Sequence, residues 1–146
     1  MPMPPMVSRS LVVSIILALA GGTLLTAYAP SLGLSGRVTN GCEKPAGYTL
    51  LVADENGYND SKHHSHPWPL IQVHQGETVK IVVCNLDPVS SHGFEINNYV
   101  DPVQLTAGQS FATTFVADRP GNYSMYCTIF CPVHQYMLYG LLVVRA

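Results

Sequence analysis

The chain has 146 residues and a net charge of −2; only 11% of the residues are charged, while 47% are hydrophobic. That length favours a single domain, and no basic residues are clustered, which argues against nucleic acid as a partner. Beyond Pro30 there are six basic and nine acidic residues, a net of −3, so the body of the chain is mildly acidic.

The first feature from the N-terminus is an apolar stretch, Leu11 to Ala29, with Arg9 as the only charge before it. Ser14 alone interrupts residues 11–20, Gly21, Gly22 and Thr23 soften the middle, and Leu24 to Ala29 continues the run. About 19 residues are marginally enough for a helix to span a bilayer. Ala27-Tyr28-Ala29 also fits a small-x-small cleavage site. Pro30 after the cut and the length of the apolar run argue against cleavage, so residues 1–29 read as a membrane anchor, with a signal peptide as the alternative. Either reading places residues 30–146 outside the cytoplasm, because the positive charge precedes the span. The domain is then periplasmic or extracellular, and it is secreted if the segment is cleaved.

Residues 30–46, rich in Gly, Ser and Pro, read as a linker, and 47–146 as the domain proper. Tyr48 to Ala53 is a strand candidate. Asp54 to Pro69 reads as a polar loop carrying His63, His64 and His66. Leu70 to Val73 leads into a turn at Gln75-Gly76. Thr78 to Leu86 alternates Val79, Ile81 and Val83 against Thr78, Lys80 and Cys84, a period of two. Asp87-Pro88 is a turn, and His92 to Ile96 a short strand. Leu105 precedes the Ala107-Gly108-Gln109 turn, after which Phe111, Thr113 and Phe115 alternate. Arg119-Pro120-Gly121 turns the chain again. Tyr123, Met125 and Cys127 share one face of the next strand, and Leu141 to Val144 closes the domain. Roughly seven short strands separated by turns suggest an antiparallel β-sandwich. No convincing helix follows the N-terminal span.

The chemistry concentrates in Cys127-Thr128-Ile129-Phe130-Cys131-Pro132-Val133-His134-Gln135-Tyr136-Met137. Thiolate, imidazole and thioether together favour copper over hard cations. Met137 discriminates, because zinc sites seldom use a thioether. A loop between two strands can hold several ligands on a rigid frame. His92 is the natural fifth member, since alternation puts it on the side of Phe94 and Ile96, facing inward. The plainer readings are a hydrogen-bonded core histidine and a Cys127–Cys131 disulfide. No Ser/His/Asp set or acid pair supports hydrolysis.

From Val73 to Val144 the sequence resembles the cupredoxins, and within them the dinuclear copper (CuA) domain of cytochrome c oxidase subunit II and nitrous oxide reductase. The residues that carry the resemblance are Gly76-Glu77-Thr78-Val79, Ser91-His92-Gly93-Phe94, Pro120-Gly121-Asn122-Tyr123 running into Tyr126-Cys127, and the Cys-x3-Cys loop with its His and Met. The resemblance implies an all-β, Greek-key, cupredoxin-like β-sandwich, here preceded by one N-terminal hydrophobic helix. It implies Cys127 and Cys131 as bridging thiolates, His92 and Met137 on one copper, His134 on the other, and the Ile129 carbonyl as a weak ligand. One departure stands out: two residues, Pro132 and Val133, separate the second Cys from the His, where the family has three. The shorter loop is similar to that of a mononuclear blue-copper protein, which would use His92, Cys131, His134 and Met137. Strand register favours the dinuclear reading, because Cys127 directly follows its strand; one ion remains the alternative.

Cys42 and Cys84 are left over, and an exported context permits a disulfide between them. The histidine run reads as a solvated loop, with a part in copper loading as the alternative. Trp68, Tyr99, Tyr136 and Tyr139 read as core or rim. The function expected is copper-dependent electron transfer by a CuA-type electron-input domain related to cytochrome c oxidase subunit II, with no catalysis by this chain alone. A cytochrome or cupredoxin would donate the electron, and a haem-copper oxidase core subunit could be a further partner. A membrane-anchored blue-copper shuttle and a copper delivery or storage protein are the alternatives.

Overall fold

A computed structural model of the protein describes residues 36–146; the expected membrane segment and its cleavage site lie outside the described residues. Among the described residues no helix is long and apolar enough to cross a membrane. They form ten strands: β1 (Gly36–Asn40), β2 (Thr49–Asp54), β3 (Gly57–Tyr58), β4 (Leu70–His74), β5 (Thr78–Asn85), β6 (His92–Ile96), β7 (Val100–Leu105), β8 (Gln109–Val116), β9 (Gly121–Tyr126) and β10 (Gly140–Arg145). The only helical turns among them are short 3-10 turns at Ser61–His63 and His134–Tyr136.

The strands build two five-stranded sheets, ordered β1-β8-β5-β2-β3 and β4-β10-β9-β6-β7. An all-β sandwich is therefore observed, as the alternating runs suggested. It is not wholly antiparallel: β2 pairs parallel with β5, and β4 parallel with β10. Parallel neighbours need a crossover, and here the chain leaves β2, runs through β4 in the opposite sheet and returns as β5.

Three strands fall where the sequence gives no strand pattern. Strand β1 lies within the expected linker; all five of its residues pair with β8, from Gly36–Thr113 to Asn40–Gln109. Strand β3 lies within the expected polar loop, and β7 carries an internal Pro102 that masks it. The segment 54–69 is held by specific bonds. Asn59 accepts the Val52 N–H on its side chain at 2.7 Å, and its carbonyl accepts Trp68 Nε1–H at 2.7 Å.

Between the sheets lie Leu51, Ala53, Ile81, Val83, Phe94, Ile96, Leu105, Met125 and Leu142, all nearly inaccessible to solvent. The apolar core runs without a break into one pole of the sandwich, where Cys127, Cys131 and Met137 belong to the same cluster. Val79, Ile81 and Val83 on β5 face this core, as their period of two requires.

Cys42 and Cys84 form a disulfide, with Cα atoms 5.3 Å apart and 42 residues of sequence separation. The bridge ties the segment after β1 to the outer face of β5. Cys84 shares the parity of exposed Lys80 yet is fully buried, a departure from the simple in-out pattern. Closing a loop of that size removes about 4 kcal/mol of chain entropy from the unfolded state in the simplest treatment. Replacing both residues with Ala should lower unfolding stability by roughly 2–4 kcal/mol, read from urea unfolding midpoints. Reducing agent should destabilise the unaltered protein but not this variant.

Candidate metal centre

Two segments meet at the pole of the second sheet. His92 opens β6. Cys127 follows β9 directly, and the chain then loops through Cys131, His134 and Met137 before entering β10. The loop is closed at its base: the Cys127 N–H donates to the Met137 carbonyl at 2.9 Å. Inside it, His134 N–H donates to the Cys131 carbonyl at 3.1 Å and Met137 N–H to the His134 carbonyl at 2.9 Å. These tight turns fold the eleven-residue loop so that Cys127, Cys131 and Met137 converge.

A ring nitrogen of His92 and the sulfurs of Cys127 and Cys131 lie within 4.8 Å of one another, all buried. The two sulfurs are 4.0 Å apart and unbonded, so the pair is not a disulfide. Met137 Sδ is 3.9 Å from Cys131 Sγ, and the Ile129 carbonyl oxygen is 3.1 Å from Cys127 Sγ. His134 is partly exposed, but its Nδ1 is buried. The structure thus brings His92, Cys127, Cys131 and Met137 together, while His134 stands outside that close group.

Two features fit the pole to a metal. His92 Nε2 is engaged with Asp87 Oδ2 at 3.1 Å, while its Nδ1 is buried with no hydrogen-bond partner. His134 Nδ1 is orphaned in the same way. Buried polar atoms are nearly always satisfied. Two unpartnered imidazole nitrogens beside two free thiols and a thioether are the donor set of a soft metal. Asp87 supplies the outer partner that fixes the ring and tautomer of a ligating histidine.

Asp87 and Gly93 support the site in ways that sequence reasoning missed. In the sequence Asp87 reads only as a turn residue. Its Oδ1 accepts N–H bonds from Val89 at 3.0 Å and Ser90 at 2.7 Å, which shapes the loop that delivers His92. Gly93 admits the ligand loop: a Cβ there would sit 2.7 Å from Thr128 N and 2.9 Å from Ile129 N, closer than backbone atoms allow. Its own N–H donates to Cys127 Sγ at 3.2 Å. The signal in the sequence is slight, an Asp five residues before a His and a Gly just after it.

The electrostatics divide the thiols. Burial pushes the Cys127 thiol up, but the neighbouring His92 and His134 rings and the Ile129 and Gly93 backbone outweigh it and bring it down to about 6. Cys131 is pushed up to about 12 by burial and then by the charge on Cys127. The pair gives up one proton readily and holds the second. A bound cation would supply the charge that releases both, so metal uptake would expel protons.

His63, His64 and His66 do not join this site, nor do they form a three-ligand group of their own. His64 stacks on Trp68 with ring centres 4.1 Å apart, and His66 lies on Tyr139 at 4.2 Å.

The two-sheet sandwich is cupredoxin-like in fold, as the sequence resemblance implied, and it gathers His92, Cys127 and Cys131 at one pole. No family model matches the chain, but particular relatives do. It is 34% identical over 75 residues to nitrous-oxide reductase of Stutzerimonas stutzeri, covering 50% of this chain and 12% of the enzyme. The Pseudomonas fluorescens enzyme is 34% identical over 77 residues, 51% of this chain and 12% of its own. The chain therefore spans about an eighth of the length of these curated relatives. Among solved structures it resembles a multicopper oxidase with a TM-score of 0.56 and 16% identity, covering 70% of this chain and 45% of that one. It also resembles a chain of a heme-copper terminal oxidase dimer, with a TM-score of 0.56, 20% identity, and coverage of 93% of this chain and 97% of that one.

Both supporting residues can be tested directly. Gly93→Ala should cost about 1–3 kcal/mol through overpacking and displace the Thr128–Ile129 backbone; urea unfolding of the metal-free protein reads the first and backbone amide shifts the second. Asp87 is pushed up by burial, but its bonds to Val89, Ser90 and His92 more than offset this and leave it below its ordinary value of 3.8. Its contribution to stability is therefore complete above that value and fades as pH falls through the lower native one. Asp87→Asn should be less stable at neutral pH and converge on the unaltered protein in acid, measured by tryptophan fluorescence.

Proposed function

We propose that this chain holds copper at His92, Cys127, Cys131, His134 and Met137, with the Ile129 carbonyl alongside, and passes electrons outside the cytoplasm as a CuA-type electron-input domain. One observation carries the reading: two free buried thiols 4.0 Å apart face two buried imidazole nitrogens that lack any partner. A mononuclear site has no use for the second thiol. The gap before His134, one residue short, is taken up by the Cys131-to-His134 turn, which still turns Nδ1 into the protein.

Bound copper would supply a one-electron couple. The chain's residues do the rest. Cys127 and Cys131 provide soft anionic donors, and Asp87 holds His92 in one tautomer. Burial of both thiols, His92 and Met137 excludes water. The clamped loop resists rearrangement between oxidation states, which favours electron transfer over substrate binding. The same burial weighs against a delivery protein, which needs an exposed, labile site. The likenesses to copper oxidases support an oxidase context, with a cytochrome or cupredoxin as donor and a haem-copper core subunit as acceptor. The Cys42–Cys84 disulfide supports the exported location, and an N-terminal membrane anchor completes the proposal.

Copper analysis and electron paramagnetic resonance of the full chain test this. Two coppers per chain, with hyperfine splitting shared between two nuclei, are expected, and Cys127→Ser should abolish that signal. A single copper with one-nucleus splitting that survives Cys127→Ser would overturn the dinuclear reading.

A further inference from the structure

Strand β3 is only two residues long, yet it touches the metal pole from the opposite sheet. Gly57 has φ of +90°, and a Cβ on it would lie 3.4 Å from Met137 Cγ. Tyr58 is fully buried, and its hydroxyl donates to the Gly93 carbonyl. Its ring meets Phe94 edge-on, with centres 5.9 Å apart. Its N–H donates to Ser61 Oγ at 3.1 Å, which anchors the strand. Burial pushes the phenol well above its ordinary value, so it remains a donor.

Gly93 is the residue whose N–H reaches Cys127 Sγ, and it comes directly after His92. We propose that Tyr58 is a positioning residue for the copper site: by holding the Gly93 carbonyl across the sandwich, it keeps the Gly93 N–H on the Cys127 sulfur and so sets the reduction potential. Hydrogen bonding around a copper-bound cysteine sulfur is one of the features that tune that potential. An N–H donor favours negative charge on sulfur, and sulfur carries more of that charge when the metal is reduced. The bond therefore stabilises the reduced form. A tyrosine in β3 has no other evident use for a hydroxyl placed in an apolar core, where the phenylalanine ring alone would fill the space.

This inference rests on the copper reading above, and the experiment separates the two. Copper-loaded full chain, Tyr58→Phe and Ser61→Ala are compared by redox titration and by the thiolate-to-copper absorption bands. Val79→Ala, in the core on β5, serves as a stability control. Tyr58→Phe should favour the oxidised form by roughly tenfold, which is about 59 mV for one electron, and shift the absorption bands. Ser61→Ala, which loosens β3 but keeps the hydroxyl, should shift the potential the same way by less. Val79→Ala should lower stability and leave the potential alone. An unchanged potential in Tyr58→Phe overturns the proposal; if that variant does not fold, an unchanged potential in Ser61→Ala does so. A shift of equal size in Val79→Ala overturns it too, because general loosening would then suffice. Failure of the unaltered chain to bind copper overturns the underlying reading instead.

Discussion

The hydrogen bond from the Cys127 amide to the Met137 carbonyl closes the base of the loop on which the metal pole depends. It ties the end of β9 to the start of the return into β10, and these two strands are already paired from Gly140–Met125 onward. The loop is thus an extension of a ladder rather than a free excursion. Whatever conformation its interior takes, Cys127 and Met137 remain neighbours. The turns at Cys131 and His134 then keep the interior of the loop compact. A loop closed only by a metal would lack this order without it; here much of the arrangement is set by the backbone.

The second constraint is burial. Cys127, Cys131 and Met137 belong to the same apolar cluster as Phe94, Met125 and Leu142. The sulfur atoms of the two cysteines act as core side chains on one side and lie against His92 on the other. That dual role explains why the polar members are so carefully supported. Asp87 serves His92, and Gly93 serves Cys127. Tyr58 serves Gly93 from the other sheet. Each support is a hydrogen bond made where water cannot substitute for it.

Much of this is legible in the sequence, for physical reasons. Strands whose apolar residues recur every second position, such as Val79, Ile81 and Val83 on β5 or Phe94 and Ile96 on β6, announce themselves because that face is dry. The ligand loop announces itself because thiols, imidazole and thioether seldom fall together by accident. The parity of Phe94 and Ile96 places His92 inward. Other parts are silent. Strand β1 has four of its five residues exposed and is defined by its pairing with β8, which local composition does not encode. Strand β3 is two residues in a polar stretch, so Tyr58 looks like a loop residue. Asp87 looks like turn chemistry, which it also is. The parallel pairings escape notice because crossovers between sheets leave no mark in short-range pattern.

The disulfide has a consequence for the order of folding. Val52 and Cys84 are partners in the parallel β2–β5 ladder and lie 32 residues apart along the chain. Long-range pairings of this kind are the slow ones, because loop entropy must be lost before contacts reward it. Once Cys42 is joined to Cys84, Val52 reaches its partner through the ten residues back to Cys42. The oxidised chain therefore meets this long-range pairing as a nearly local one. Strand β3, with the tyrosine that reaches across to the metal pole, pairs with β2 and shares that shortcut.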